Sequence, residues 1–373
     1  MKFTAIKDAP MIRVLGRTTQ EREPLTLFWT GSGLEFGIRA EELWVEFLSD
    51  YSLYESWISI QINGSFISRQ MLSKGINKIC IFRGMNPEKI KQVRIIKETQ
   101  AMSGDEECLL QFIGFYTDGE LLPALERTMK IEWIGDSITS GEGVIGSIEE
   151  EDWIPMIFSA FRNYAIIASD ALDAEYRIIS QSGWGVLSGW DNNPYCALPD
   201  YYEQVCGLLS GERNEVLGAK RKYDFSLWQP DFVIVNLGTN DSVAFHQPEW
   251  KEEETGKTWK QRINLKGQFE PEDIKRFVQK VIEFLITLRK CNAKAEIIWA
   301  YGMIDSTMLH PIYEAVEKYR TNTEDLKVHL LILPEMSKEG IGARNHPGEL
   351  SHKKTAKIIT EYIQSLIERK KIT

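Results

Sequence analysis

The sequence predicts two domains of different class. Residues 1–124 read as an all-β sandwich, and residues 125–373 as an α/β domain, a parallel sheet with helices on both faces. Three observations predict this. Apolar residues recur with period two through the first part of the chain. From about residue 128, short apolar runs alternate with segments of helical period. The length, 373 residues, is more than one ordinary domain and suits two.

In the first part, Leu34, Phe36 and Ile38 alternate with polar or small residues, and Leu43, Val45 and Phe47 keep the same period. Ile58, Ile60 and Ile62 repeat it, and Asn63-Gly64 then supplies a two-residue hairpin turn. Further strand-like runs fall at 78–82, 92–97 and 109–115, and Gly119 to Pro123 reads as the connection out of the domain. Short period-two runs broken every ten or so residues suggest a sandwich. In the second part the strands are expected at 129–134, 176–180, 232–237, 295–300 and 328–333. Helices are expected at 157–172, 271–290 and 349–368. The middle one is clearest, with Ile274, Phe277, Val278, Val281, Ile282, Leu285 and Leu288 at helical spacing behind Pro271. The polar stretch 246–262 reads as a solvated loop that leaves the sheet edge and overhangs it.

Composition narrows the function. A net charge of −10 argues against nucleic acid or an anionic membrane surface as partner. No run of about 18 apolar residues predicts a transmembrane helix. The first ten residues lack a signal-peptide core. Five widely spaced cysteines, an odd number, read as free thiols. Together these predict a cytoplasmic protein. No C-x-x-C or H-E-x-x-H appears, so neither metal nor other cofactor is expected. The oligomeric state is not readable.

Four blocks carry chemistry. Gly135-Asp136-Ser137-Ile138-Thr139 leaves the first parallel strand, which pushes the Ser137 hydroxyl out at the sheet edge with backbone N–H groups around it. Gln181-Ser182-Gly183-Trp184-Gly185 follows the second strand. Gly238-Thr239-Asn240-Asp241 follows the third. Asn345-His346-Pro347 precedes the last helix. Each has a plainer reading alone: an N-cap, a turn glycine, an Asx turn, a loop. In this order, at strand ends where such sheets bind ligands, they point to one site. The residues resemble the SGNH (GDSL-type) hydrolases, with Ser137, Gly183, Asn240 and His346 in the matching blocks. The resemblance implies Ser137 as nucleophile and His346 as general base. The oxyanion donors would be the Ser137 and Gly183 N–H groups and the Asn240 amide. It also makes the parallel sheet flavodoxin-like.

One position departs from that pattern. Many such enzymes carry an aspartate two or three residues before the histidine, where this chain has Arg344 and Ala343. His346 is then held by a backbone carbonyl or a distant acid, with Asp305 and Glu335 as candidates, or the site is silent. Arg344 close to the imidazole should lower its pKa by like-charge repulsion. The run Gly141-Glu142-Gly143-Val144-Ile145-Gly146 fits the letters of a dinucleotide fingerprint but follows its strand too late, and its glutamate would repel pyrophosphate.

The chain as a whole resembles carbohydrate esterase family 2. The resemblance rests on the catalytic blocks and, more loosely, on Val14-Leu15-Gly16-Arg17-Thr18, Trp29-Thr30-Gly31-Ser32 and Gly114-Phe115. It implies a jelly-roll-like sandwich ahead of an SGNH hydrolase domain. It also implies removal of O-acetyl groups from acetylated oligosaccharides of the xylan or mannan type. Trp184 and Trp190, in and after the Gly183 block, are candidate stacking faces for a sugar. The rivals are a silent sugar-binding protein on the same scaffold and a lipid esterase.

Overall fold

Period-two patterning becomes antiparallel sheet. In the structure, a computed structural model that describes residues 1–372 with side chains through residue 369, burial alternates residue by residue along Leu43–Asp50, as in a strand with one face on a core. That strand pairs with Leu109–Thr117 on one side and Gly75–Phe82 on the other, and Lys2–Ala5 extends the sheet beyond Leu109–Thr117. A second sheet runs in the order Glu120–Leu122, Gly33–Arg39, Lys91–Lys97, Trp57–Ile62, Ser65–Met71. Asn63 and Gly64 join its last two strands with φ of 52° and 78°, the left-handed pair that suits a tight hairpin. Phe36, Phe47, Ile58, Phe112 and Phe115 fill the space between the sheets. Gly33–Arg39 departs from strict alternation and is buried on both faces, because its outer side carries Glu35 into contact with the second domain's Arg127.

The second domain has five parallel strands: β1 (Met129–Gly135), β2 (Ala174–Ser180), β3 (Phe232–Asn236), β4 (Glu296–Tyr301) and β5 (Val328–Ile332), in the order β2-β1-β3-β4-β5. This is the flavodoxin-like order, whose ligand crevice opens between the β1 and β3 ends. The helices are α1 (Ser137–Ser140), α2 (Tyr164–Ala171), α3 (Glu212–Val216), α4 (Thr239–Ala244), α5 (Pro271–Cys291), α6 (Leu309–Thr323) and α7 (Glu349–Ile372). α2 and α7 share one apolar core with Trp133 and Ile298, while α5 and α6 share another with Val233, Val235 and Trp299. Helices therefore cover both faces of the sheet.

Two helix expectations change. The helix expected over 157–172 begins only at Tyr164, because the Asn163 side chain accepts from the Ala165 N–H and caps it. Ahead of it, Ser159 and Ala160 bond instead to the Gly141 and Glu98 carbonyls. Helix α6 was not expected, although Ile312, Ala315, Val316 and Tyr319 stand at helical spacing and are buried; Pro311 in its first turn masks the pattern.

The domains meet over a polar, largely buried seam. Arg17 pairs with Glu132 at 3.0 Å, both buried, and lies over the Tyr202, Tyr223 and Phe225 rings. Removing one partner of such a pair costs about 3–5 kcal/mol. The Trp29 indole donates to the Val205 carbonyl at 2.7 Å, and Arg94 grips Asp170 through two bonds of 3.0 and 2.8 Å. Buried Lys97 donates to the Phe28 and Gln100 carbonyls, each at 2.8 Å. That fixes the sandwich turn that reaches the sheet edge of the second domain.

Candidate active site

A cleft of about 530 Å3 opens where the strand ends face the sandwich, and Ser137, Gly183, Trp184, Trp190, Asn240 and His346 all line it. The sandwich contributes Tyr54, Gln100, Met102 and Ser103 to the opposite wall. Of the stretch 246–262, no residue lines the cleft; it folds as a small hairpin and docks on Asn192 through the Gln261 N–H and the Pro248 carbonyl.

Ser137 begins α1. Asp136 caps that helix, its carboxylate accepting from the Ile138 N–H at 3.0 Å. No acceptor among the described residues takes the Ser137 N–H. The Ser137 hydroxyl lies 2.9 Å from His346 Nε2. The other ring nitrogen, Nδ1, lies 2.9 Å from the Arg344 carbonyl oxygen. A carbonyl can only accept, so Nδ1 carries the hydrogen and Nε2 is the acceptor for the serine. The aspartate missing from the sequence is thus replaced by a main-chain oxygen. Neither acid named as its substitute takes that role. Asp305 accepts from Tyr301 OH and the Thr307 N–H, and Glu335 from Ser306. Both follow β4 or β5, past the β3 end.

The histidine loop docks by close backbone approach. Ala343 N–H donates to the Gly143 carbonyl at 3.0 Å. A Cβ on Gly143 would come within 2.3 Å of the Ala343 oxygen and 2.8 Å of the His346 Cβ. Two of the glycines that imitate a dinucleotide fingerprint, Gly143 and Gly146, therefore make room for the histidine loop. Arg344, expected to press its charge on the imidazole, turns its guanidinium to Glu142 at 3.0 Å and to the Glu151 carbonyl.

The Gly183 loop is held from three sides. Gln100 Oε1 accepts from the Ser182 N–H at 2.8 Å, the Trp190 N–H donates to the Gly183 carbonyl at 2.9 Å, and the Asp241 carboxylate accepts from the Val186 and Leu187 N–H groups at 2.8 and 2.7 Å. Gly183 has φ of 79°, and a Cβ there would meet the Trp190 ring at 3.0 Å. Among the described residues its N–H has no acceptor either. Asn240, at the start of α4, directs Nδ2 to the Trp184 carbonyl at 2.9 Å and to Asp136 Oδ2 at 3.3 Å. Trp184 is a correction. The residue is only 8% exposed and its indole makes a T-shaped contact with the Tyr201 ring, so although it lines the cleft it presents no open stacking surface to a sugar. Trp190 is 48% exposed at the cleft wall.

Glu142, Asp136 and Asp241 were not foreseen as site residues. Burial pushes the Asp136 carboxyl up to about 7, with Asp241 and Glu142 adding to it, and burial pushes Asp241 up to about 6. A carboxyl whose folded pKa lies above its unfolded one stabilises the fold fully below the unfolded value, near 4, and loses that contribution as pH rises through the folded value. Thermal unfolding between pH 5 and 8 should show it: the melting temperature falls through this range, and falls less in Asp136→Asn. Parallel curves for the two proteins would refute the assignment.

No family model matches the chain. An acetyl xylan esterase from Butyrivibrio proteoclasticus is similar over 99% of this chain and 100% of that one, at 44% identity and a TM-score of 0.97. The same fold recurs in a family two carbohydrate esterase from Clostridium thermocellum, in complex with cellohexaose, over 96% of this chain and 99% of that one, at 23% identity and a TM-score of 0.78. An acetylxylan esterase / glucomannan deacetylase from Cellvibrio japonicus is 28% identical over 235 residues, 62% of each chain. The chain spans less than two thirds of the length of the curated relatives it matches, 62% of that one and 25% of another. The fold and the Ser137–His346 pair at the β1 end define an SGNH-type hydrolase scaffold. Within that class, the chain belongs to carbohydrate esterase family 2.

Proposed function

We propose that this protein is a serine esterase that removes O-acetyl groups from hemicellulose-type oligosaccharides, xylan or mannan, through an acetyl-enzyme. The observation that carries the reading is the 2.9 Å contact of Ser137 Oγ with a His346 ring whose tautomer is set by a main-chain acceptor. His346 Nε2 takes the hydroxyl proton as Ser137 Oγ attacks the acetyl carbonyl carbon. The developing oxyanion is met by the Ser137 and Gly183 N–H groups and by Asn240 Nδ2, which exchanges its longer contact with Asp136 for the oxyanion. As the intermediate collapses, the bond from carbonyl carbon to sugar oxygen breaks and His346 returns the proton to the sugar. Water repeats the sequence and releases acetate. Trp190 offers an exposed ring and Tyr54 a facing wall for the sugar. The esterases named above act on substrates of this chemistry, which supports the choice of acetylated glycans.

The silent-binder reading has no observation in its favour, since the nucleophile and base stand within hydrogen-bond reach. Five free cysteines support placing the work in a reducing compartment, on short imported acetylated fragments. The test is acetate release from acetylated xylo- and manno-oligosaccharides. Turnover of p-nitrophenyl acetate with no acetate released from either glycan would overturn the substrate class.

A further inference from the structure

In place of the missing aspartate the histidine has a carbonyl oxygen, which orients the ring but supplies no net charge to the imidazolium formed during catalysis. A charge stands close by. Glu142 begins where α1 ends, its N–H bonded to the Ser137 carbonyl at 3.0 Å, so the turn that presents the nucleophile also presents this carboxylate. Its side chain is 3% exposed. Oε1 lies 3.0 Å from Arg344 Nε and 3.8 Å from His346 Nε2, and Oε2 accepts from the Trp153 indole at 3.2 Å. At 3.8 Å the histidine contact is too long for a hydrogen bond and acts as charge on charge.

The same carboxylate holds the carbonyl that orients the ring. Arg344 and Asn345 have φ of 55° and 56°, successive left-handed residues without a glycine between them. Such backbone persists only where its surroundings over-determine it, and it clusters at functional sites. Three contacts fix Arg344: its N–H to the Glu150 carbonyl at 2.8 Å, its guanidinium to the Glu151 carbonyl, and its Nε to Glu142. With the residue so held, its own carbonyl is aimed at Nδ1.

We propose that Glu142 is the positioning acid of this site and does the work of the absent triad aspartate in two parts. Through Arg344 it fixes the carbonyl that orients His346, and across 3.8 Å it stabilises the imidazolium charge. The titratable groups around His346 are then Glu142, the Arg344 guanidinium, Asp136 beside the serine, and His352 behind Pro347. Burial pushes His352 down to about 3, so it stays neutral at working pH. Glu142 and Arg344 oppose each other, and that opposition makes the proposal testable.

The proposal rests on the esterase reading, and the experiment separates the two. The acid limb of the kcat/KM profile for p-nitrophenyl acetate is measured for the wild type, Glu142→Gln and Arg344→Met. Loss of the carboxylate moves the limb to lower pH by about one unit and lowers kcat about tenfold, with KM little changed. Loss of the guanidinium leaves Glu142 uncompensated and moves the limb the other way, also with lower kcat. Limbs that stay at the wild-type pH in both variants, or shift in the same direction, overturn the inference. Where Glu142→Gln does not fold, the Arg344→Met limb and an NMR titration of the His346 ring in that variant decide alone, an unmoved midpoint being fatal. The esterase reading fails by a different result, full turnover in the serine or histidine variant.

Discussion

Ser137→Ala loses p-nitrophenyl acetate hydrolysis by roughly 10⁴-fold or more, keeping only the residual rate that the oxyanion donors and substrate binding supply. The expectation follows from which hydroxyls the cleft holds. Tyr54, Ser103 and Ser182 also line it, but within hydrogen-bond reach of His346 Nε2 stands the hydroxyl of Ser137. Without a base to take its proton, a serine is a weak nucleophile at neutral pH. The fold survives the change. Ser137 lies at the first position of α1, whose cap is the Asp136 carboxylate, and alanine suits a helix at least as well as serine. The variant should therefore melt close to the wild type and still bind acetylated oligosaccharide, so that binding and turnover come apart. Retention of even a tenth of the activity would assign the nucleophile elsewhere and remove the central claim.

The parts of the molecule legible in the sequence are those whose signal is local. Period-two alternation located Leu43–Asp50 and Trp57–Ile62, and a single helical stripe located α5 to within a residue at its end. The four catalytic blocks were readable because each lies just after its strand or before its helix. What escaped depends on contacts between distant segments. A main-chain oxygen has no letter of its own, so the Arg344 carbonyl gave no signal, and attention fell on Asp305 and Glu335 instead. Glu142 was discounted inside a run that imitates a phosphate loop, when Gly143 and Gly146 of that run admit the histidine loop. Trp184 and Trp190, six positions apart, both line the cleft but have opposite fates: the first is nearly buried against Tyr201 and the second is half exposed. Gln100 reaches the Gly183 loop from another domain, which periodicity cannot foresee. One clue was available for the acids. Asp136 and Asp241 each stand beside a catalytic block residue at a strand end, where burial of a carboxylate is costly unless it is used.

Asn240→Ala should lower kcat by roughly 100-fold or more while leaving KM for a small ester little changed. The amide is poised for this. It lines the cleft at the end of β3, and its Nδ2 is held by a 2.9 Å bond to the Trp184 carbonyl and a longer one, 3.3 Å, to Asp136. The shorter contact fixes the side chain; the longer one is the donor that an oxyanion can claim. A group that binds the oxyanion more tightly than the ground-state carbonyl lowers the barrier without tightening substrate, so the loss falls on kcat. Asn240→Asp sharpens the test, since a carboxylate in that place keeps the shape but repels the developing charge and sits against Asp136. It should be the slower of the two where its carboxyl is ionised, and recover relative to Asn240→Ala as pH falls and the carboxyl gains a proton that it can donate. A merely structural asparagine predicts the reverse order, with the larger cavity of alanine doing more harm. Near-normal kcat in Asn240→Ala would leave the oxyanion to the two backbone N–H groups of Ser137 and Gly183, and the role assigned to the third block would fall.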